Sequence, residues 1–249
     1  KQPFGPFLGI FEVGSLPMIP KHIYEGTDFK TNPANNTPIG TGPFMFKEWQ
    51  KGSFIRLVKN PSYHVKGKPN IDEIYWHVIP DAAARSVAYE TGKVDVLPGG
   101  SVENFDVPRL GKLKNTCVTG AGWEFFSPHS WLWLNNRSGP TANKKFRQAL
   151  MFAIDRNMAK DVVWNGLGKV ATGPSGSAIK YYTGAVPKYD YDPAKAKALL
   201  KEAGYNGEKL RMLPLPYGET WQRWAEMVRQ NLQDVGINMV IFPVSLLRI

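Results

Sequence analysis

Residues 38–44, which read PIGTGPF, organise the rest of the chain. Two glycines and two prolines so close together favour a tightly specified loop over a helix or a long strand. Gly40 and Gly42 can adopt positive φ angles or let another backbone approach closely, and Pro43 disfavours helical geometry just before it. Phe44 and Phe46 then alternate with their neighbours, so we expect the loop to lead into a half-buried strand. A phosphate-binding loop is the alternative, but no Lys-Ser or Lys-Thr pair closes the run and no amphipathic helix follows.

The residues after this loop predict a mixed sheet with one short helix against it, over residues 44–96. Residues 44–49 and 53–59 alternate as two strands of a hairpin, with a turn that contains Gly52. Asp81 suits the N-cap of a helix, and Gly92 lies beyond the expected end of that helix. Further strands are predicted at residues 74–78 and 94–96.

The second half of the chain predicts an aromatic strand, several helices and a terminal βαβ unit. Residues 123–136 are the most aromatic stretch, and Leu132 and Leu134 alternate there with tryptophans, so one face can be core while the other faces a cleft. Asp192 followed by Pro193 suits a helix start, with Gly204 as its left-handed C-cap. A strand at 209–215, a helix at 220–235 and a strand at 237–244 form the βαβ unit.

Several spaced blocks of the sequence resemble the family 5 extracytoplasmic solute-binding proteins, the peptide- and nickel-type receptors of ABC importers. The resemblance begins at NNTPIGTGPFMFKEW (35–49) and continues from GSFIRLVKNPSYHVKGKPN through DVLP (52–98). It extends through RQALMFAIDR (147–156), YDYDPAKAKALLKEAGY (189–205) and AEMVRQNLQDVGINMVIFPV (225–244). These blocks are colinear with the family pattern and cover essentially the whole chain.

The resemblance implies an α/β fold with mixed lobes, of the two-lobed, class II periplasmic binding protein type. Residues 1–120 would belong to the first lobe and residues 121–249 to the second, with the crossing between about 113 and 122. Family members are exported and substantially longer, and no signal peptide is visible, so the resemblance implies a chain incomplete at both ends. The implied protein is a periplasmic monomer that carries a small solute to an inner-membrane ABC permease.

The implied interlobe cleft directs attention to exposed aromatic residues and one carboxylate. The aromatic run follows the expected lobe crossing, and Glu124 within it could bind a ligand ammonium group. The candidate ligand-binding residues are Trp123, Glu124, Phe125, Phe126, Trp131, Tyr181, Tyr182 and Tyr217. Peptide receptors can carry an arginine before the last βαβ helix, where residues 214–218 here have none. The ligand therefore stays open among peptides, nickel chelates, opines and oligosaccharides.

The charge of the chain raises an alternative function. Lys and Arg outnumber Asp and Glu by 31 to 21, giving a net charge of +10, which could favour nucleic acid. The basic residues are dispersed, however, and the aromatic run 123–133 contains no Lys or Arg to hold phosphates beside stacked bases. A nucleic-acid-binding protein is therefore the second hypothesis.

Motifs for catalysis and metal binding are absent from the sequence. Four isolated histidines and one cysteine lack the spacing of a zinc site, and no Gly-x-Ser-x-Gly or Walker-type loop occurs. Cys117 is expected to be an inert, partly buried thiol. We therefore expect no enzyme activity, no cofactor and no metal. No apolar run approaches the ~20 residues of a membrane span.

Overall fold

The computed structural model describes residues 3–11, 16, 18–122, 128–179 and 182–242. Its packing separates the chain into two units, Lys1–Pro80 and Asp81–Ile249. The expectation of a lobe boundary near residue 120 stays a prediction.

The first unit is built on a three-stranded antiparallel sheet in the order β1-β2-β3. The 3-10 helix Gly5–Phe11, helix α1 (Lys21–Tyr24) and the 3-10 helix Pro33–Asn35 precede the sheet. The strands are β1 (Phe44–Gln50), β2 (Phe54–Lys59) and β3 (Glu73–His77). The predicted hairpin is confirmed, and Gly52 makes its turn with φ of 77°.

The loop at residues 38–44 is fastened to the sheet by Asn60, at the end of β2. The Asn60 side-chain amide donates to the carbonyl of Gly42 at 2.9 Å, and its backbone N–H donates to the carbonyl of Pro43 at 2.9 Å. Neither Gly40 nor Gly42 has a positive φ, and a Cβ at either position would meet nothing within 4 Å. The predicted loop is therefore present, but the special geometry expected of its glycines is not.

The second unit begins with two helices, α2 (Ala82–Glu90) and α3 (Val107–Leu110). Asp81 caps α2 as predicted, since its carboxylate accepts from the backbone N–H of Ala84 at 2.7 Å. The strand predicted at residues 94–96 does not form. The sheet in residues 44–77 is antiparallel throughout, so the expectation of a mixed sheet over 44–96 is wrong.

Four further helices and a short parallel sheet complete the second unit. After the 3-10 helix Pro140–Ala142 come α4 (Lys144–Ala153) and α5 (Arg156–Met158), which runs into the π-helical turn Ala159–Val163. Helix α6 (Pro193–Glu202) is followed by β4 (Leu210–Met212), α7 (Glu219–Asp234) and β5 (Met239–Ile241). Strands β4 and β5 pair in parallel, which confirms the βαβ unit.

The apolar core of the second unit lies between α4, α6, α7 and the two parallel strands. Its most deeply buried large side chains are Phe146, Leu150, Val228, Leu232 and Ile237. Each helix packs against this core with the apolar stripe predicted from the sequence, because apolar residues spaced three and four apart lie on one face of a helix. Within the described ranges, no helix is both long and apolar enough to cross a membrane.

Candidate ligand-binding site

Residues 128–136 present one face to the core and the other to solvent. Leu132 and Leu134 pack against the apolar core, whereas Trp131 is 48% exposed and Trp133 is 87% exposed. The alternation predicted from the sequence is confirmed here, although these residues form no strand. The ring of Trp131 lies 5.5 Å from that of His129, so one of the two exposed tryptophans has an aromatic neighbour.

Trp133 is a candidate that the sequence reasoning passed over. The signal for it was present, because residues two apart in an extended segment point to the same side. The predicted ligand residues include Trp131 and not Trp133, yet Trp133 has the larger exposed fraction. A tryptophan buries up to about 250 Å² when it is covered, so this exposed ring can supply much contact area to a partner molecule.

The two described tyrosine candidates differ in how they are held. The hydroxyls of Tyr182 and Thr172 share a hydrogen bond of 2.6 Å, which restrains the tyrosine at the surface. Tyr217 is 72% exposed and precedes Gly218, the residue before α7. Among the described residues, no ring contact joins Trp131, Tyr182 and Tyr217 to one another.

Five of the predicted site residues lie outside the described residues, namely Trp123, Glu124, Phe125, Phe126 and Tyr181. The described part of the chain therefore tests neither the carboxylate at Glu124 nor the first half of the aromatic run. Those assignments stay predictions.

A separate group of three tryptophans packs where α7 meets the π-helical turn. The rings of Trp164, Trp221 and Trp224 make edge-to-face contacts with centroids 6.0 to 6.3 Å apart. All three are half-buried, and two of them pack against the core cluster. The group supports the first two turns of α7, and its rings are engaged with one another rather than free for a ligand.

An open groove lies in each unit, and none of the predicted ligand residues that the structure describes lines either of the two. A groove of about 390 Å³ runs along α7 and the π-helical turn, with Met158, Val162 and Met227 in its lining. A groove of about 480 Å³ in the first unit is lined by Phe44, Tyr63 and residues after them.

Among the described residues, ion pairs on the surface shift the pKa of an arginine. Hydrogen bonds from the guanidinium of Arg109 to Glu90 and then to Asp106 raise the pKa of that arginine. No group of three or more His, Cys, Asp or Glu side chains in the described ranges could hold a metal ion.

Cys117 is exposed, so the expectation of a partly buried thiol is wrong. It lies in the irregular stretch after α3, within residues 112–122.

Comparison with solved structures defines the class of protein to which this fold belongs. The structure of NikZ from Campylobacter jejuni in complex with Ni(L-His) superposes with a TM-score of 0.79 at 20% identity. That match covers 99% of this chain and 50% of NikZ, and it speaks for the fold alone. The oligopeptide-binding protein AppA of Bacillus subtilis, in complex with a nonapeptide, gives a TM-score of 0.71 at 29% identity. It covers 93% of this chain and 48% of that structure. The mixed α/β fold is therefore that of the class II periplasmic binding proteins, over about half their length.

The sequence comparisons then identify the family. The model of bacterial extracellular solute-binding proteins, family 5 Middle, matches residues 1–246, and the chain belongs to this family. The glutathione-binding protein GsiB of Salmonella typhimurium is 30% identical over 248 residues, which are 95% of this chain and 45% of GsiB. The sequence of B. subtilis AppA is 33% identical over 197 residues, or 77% of this chain and 35% of AppA. The chain thus spans less than half the length of these curated relatives. The family binds solutes and is not enzymatic, and the resemblance seen in the sequence is confirmed.

Proposed function

We propose that this chain is part of the substrate-binding component of an ABC importer. It captures a peptide or a related small solute in a cleft between two lobes and delivers it to a permease in the inner membrane. The observation that carries the proposal is the 30% identity to a glutathione-binding protein across 95% of this chain, together with 33% identity to an oligopeptide-binding protein. A periplasmic location and a monomeric state belong to the same proposal.

The ligand class we propose is a short peptide or a peptide-like molecule such as glutathione. Both relatives are named for ligands that contain amide groups and charged ends. Such ligands need hydrogen bonds to the main chain and roomy, hydrated pockets for their side chains. The absence of an arginine in residues 214–218 means that any ligand carboxylate must be held from elsewhere.

The contacts we propose are aromatic surfaces, with one carboxylate for a ligand amine. Among the described residues, the exposed faces of Trp131, Trp133, Tyr182 and Tyr217 are available for this role because their outward sides have solvent rather than core against them. Aromatic rings suit a peptide backbone and its aliphatic groups, since they supply broad apolar contact at little entropic cost. From the sequence alone, Trp123, Glu124, Phe125, Phe126 and Tyr181 are proposed to complete the set.

The test is native mass spectrometry of the protein expressed from its complete gene and purified without denaturation. We expect a bound solute that acidification releases, and its mass identifies the ligand. A spread of peptide masses supports a general peptide receptor, and a single mass at that of glutathione supports a glutathione receptor. A single unrelated mass retains the solute-binding function and refutes the peptide-like ligand. Nucleic acid that stays bound at high salt would refute the proposal in favour of the second hypothesis.

A further inference from the structure

Glu103 makes a contact that connects two parts of the second unit far apart in sequence. Its carboxylate oxygen Oε1 accepts from the backbone N–H of Glu219 at 3.2 Å. Its second oxygen, Oε2, accepts from the backbone N–H of Thr220 at 3.2 Å and from the Thr220 hydroxyl at 2.8 Å. The carboxylate therefore satisfies donors in the first turn of α7 that have no partner within the helix, and its charge is favourable there.

Two neighbouring residues, Gly218 and Phe105, favour this contact. Gly218 has φ of 119°, and a Cβ at that position would lie 3.1 Å from Oε1 of Glu103. Any larger residue at 218 would be strained and would press on the carboxylate. Two residues beyond Glu103, the ring of Phe105 lies 4.9 Å below the guanidinium of Arg223, one turn into α7. The contact is therefore a small polar patch with a cation–π interaction beside it.

Both parts that meet at this patch lie in the second unit, but among the described residues they do not share an apolar core. The core cluster and the residues packed on it all fall within 132–241. Segment 81–111 has its own buried residues, Ala88 and Leu110, which are not in that cluster. It is held together internally by Asp106, which accepts from the Ser86 hydroxyl at 2.9 Å and from Arg109 Nε at 3.0 Å.

The connection between the two parts is also the place where a lobe crossing is expected. No helix or strand forms over residues 112–122. Polar interfaces between bodies with separate cores are the ones that open and close readily, whereas shared apolar cores hold bodies together. The contact at Glu103 thus has the composition of a releasable interface.

We propose that Glu103 and the first turn of α7 form a latch that closes segment 81–111 onto region 132–241 when solute is bound and releases when the cleft opens. This inference rests on the proposed solute-binding function, in which capture accompanies closure of one lobe on the other. Because the latch adds contacts only in the closed form, it slows solute dissociation and leaves association nearly unchanged.

The test compares wild type with Glu103→Gln in the protein expressed from its complete gene, as purified with its own solute. Glutamine keeps the size of the side chain but places an amide donor against the N–H donors of α7. The control is Glu226→Gln, which removes an exposed carboxylate on the same helix that forms an ion pair with Arg229. Hydrogen-exchange mass spectrometry follows the peptide covering residues 217–224, and small-angle scattering gives the radius of gyration.

We expect the first-turn amides of α7 to exchange roughly 10-fold faster in Glu103→Gln than in wild type, since a charge-assisted hydrogen bond is lost. The radius of gyration should increase, and the Glu226→Gln control should match wild type. An unchanged exchange rate overturns the latch. Faster exchange with an unchanged radius of gyration also overturns the latch, because the contact would then join two parts that do not move relative to each other.

The two proposals fail in different ways. If mass spectrometry finds no solute on any sample, the proposed function fails. If wild type carries solute and Glu103→Gln retains it equally long during dilution, with the same radius and exchange rate, only the latch fails.

Thr220→Val provides a second variant, since it removes the hydroxyl donor and keeps both backbone donors. Its exchange and dissociation rates should lie between those of wild type and Glu103→Gln, and equality with wild type in both variants again overturns the latch.

Discussion

Replacing Leu232 by alanine tests whether the core around α7 holds the second unit together. Leu232 is 0% exposed and lies one turn after Val228, in the same core cluster as residues of β4 and β5. The parallel pair of short strands has few hydrogen bonds of its own, with three residues in each strand. We therefore infer that burial of the α7 stripe, rather than strand pairing, supplies most of the stability here.

The magnitude follows from the number of buried carbons that are removed. Leucine to alanine deletes three carbons, and at about 0.8 kcal/mol for each buried CH₂ the loss of burial is about 2.4 kcal/mol. An unfilled cavity adds to this, and fully buried leucines commonly lose about 2–5 kcal/mol in total. We expect a loss of about 3–4 kcal/mol, a large fraction of the 5–15 kcal/mol that is typical of a folded domain.

The measurement is urea denaturation followed by circular dichroism, on the protein expressed from its complete gene. The matched control is Leu213→Ala, the same chemical change at a side chain that is 67% exposed just after β4. We expect the control to lose less than about 1 kcal/mol. A loss below about 1 kcal/mol for Leu232→Ala, or equal losses for the two variants, would show that burial of the α7 stripe does not supply most of the stability of this region.

Three further predictions test a helix cap, a pH dependence and the candidate site. Asp192→Ala should cost about 1 kcal/mol in urea denaturation because the carboxylate that accepts from the Lys195 N–H at 2.9 Å caps α6, and Asp192→Asn should recover most of this loss. Burial raises the pKa of Tyr205 above its ordinary 10.0. The stability that the neutral Tyr205 side chain contributes is therefore fully present below about pH 10, and it is lost as the pH rises through the raised pKa of Tyr205. Tyr205→Phe should remove that part of the alkaline loss of stability, and an unchanged pH profile would contradict the assignment. Trp133→Ala should weaken binding of the co-purified solute about 10-fold with less than about 0.5 kcal/mol lost in stability. The exposed Trp76 of the first unit is the control, and an unchanged dissociation constant would remove Trp133 from the site.

The features that the sequence predicted correctly are those with local causes. Asp81 and Asp192 cap helices because a short carboxylate reaches the free N–H groups two or three residues ahead, so sequence spacing is enough. The hairpin at Gly52 follows from a turn residue between two alternating runs. The βαβ unit follows from an amphipathic helix between two apolar runs, although the strands are shorter than predicted.

The features that were predicted wrongly or missed depend on contacts between residues far apart in the sequence. Residues 94–96 have the composition of a strand, but a strand needs a partner edge, and none pairs with them. The contact of Glu103 with α7 joins residues more than a hundred positions apart, and no local pattern marks it. The large exposed fraction of Trp133 also depends on the fold, because the alternation in the sequence places Trp133 on the same side as Trp131 but does not tell which of the two is more exposed.

The distribution of family resemblance over the chain explains why the ligand is harder to predict than the fold. The resembling blocks include α4, α6 and α7, whose stripes fill the core, and the cap at Asp192. Two relatives, 30% and 33% identical to this chain over 248 and 197 residues, are named for glutathione in one case and oligopeptides in the other. The same scaffold thus serves different ligands, so the residues that select the ligand must lie mostly on faces that the core does not constrain. Trp131 and Trp133 are on such a face while the leucines between them are not. Exchanging these two tryptophans for smaller residues should therefore change which solute co-purifies before it changes whether the protein folds.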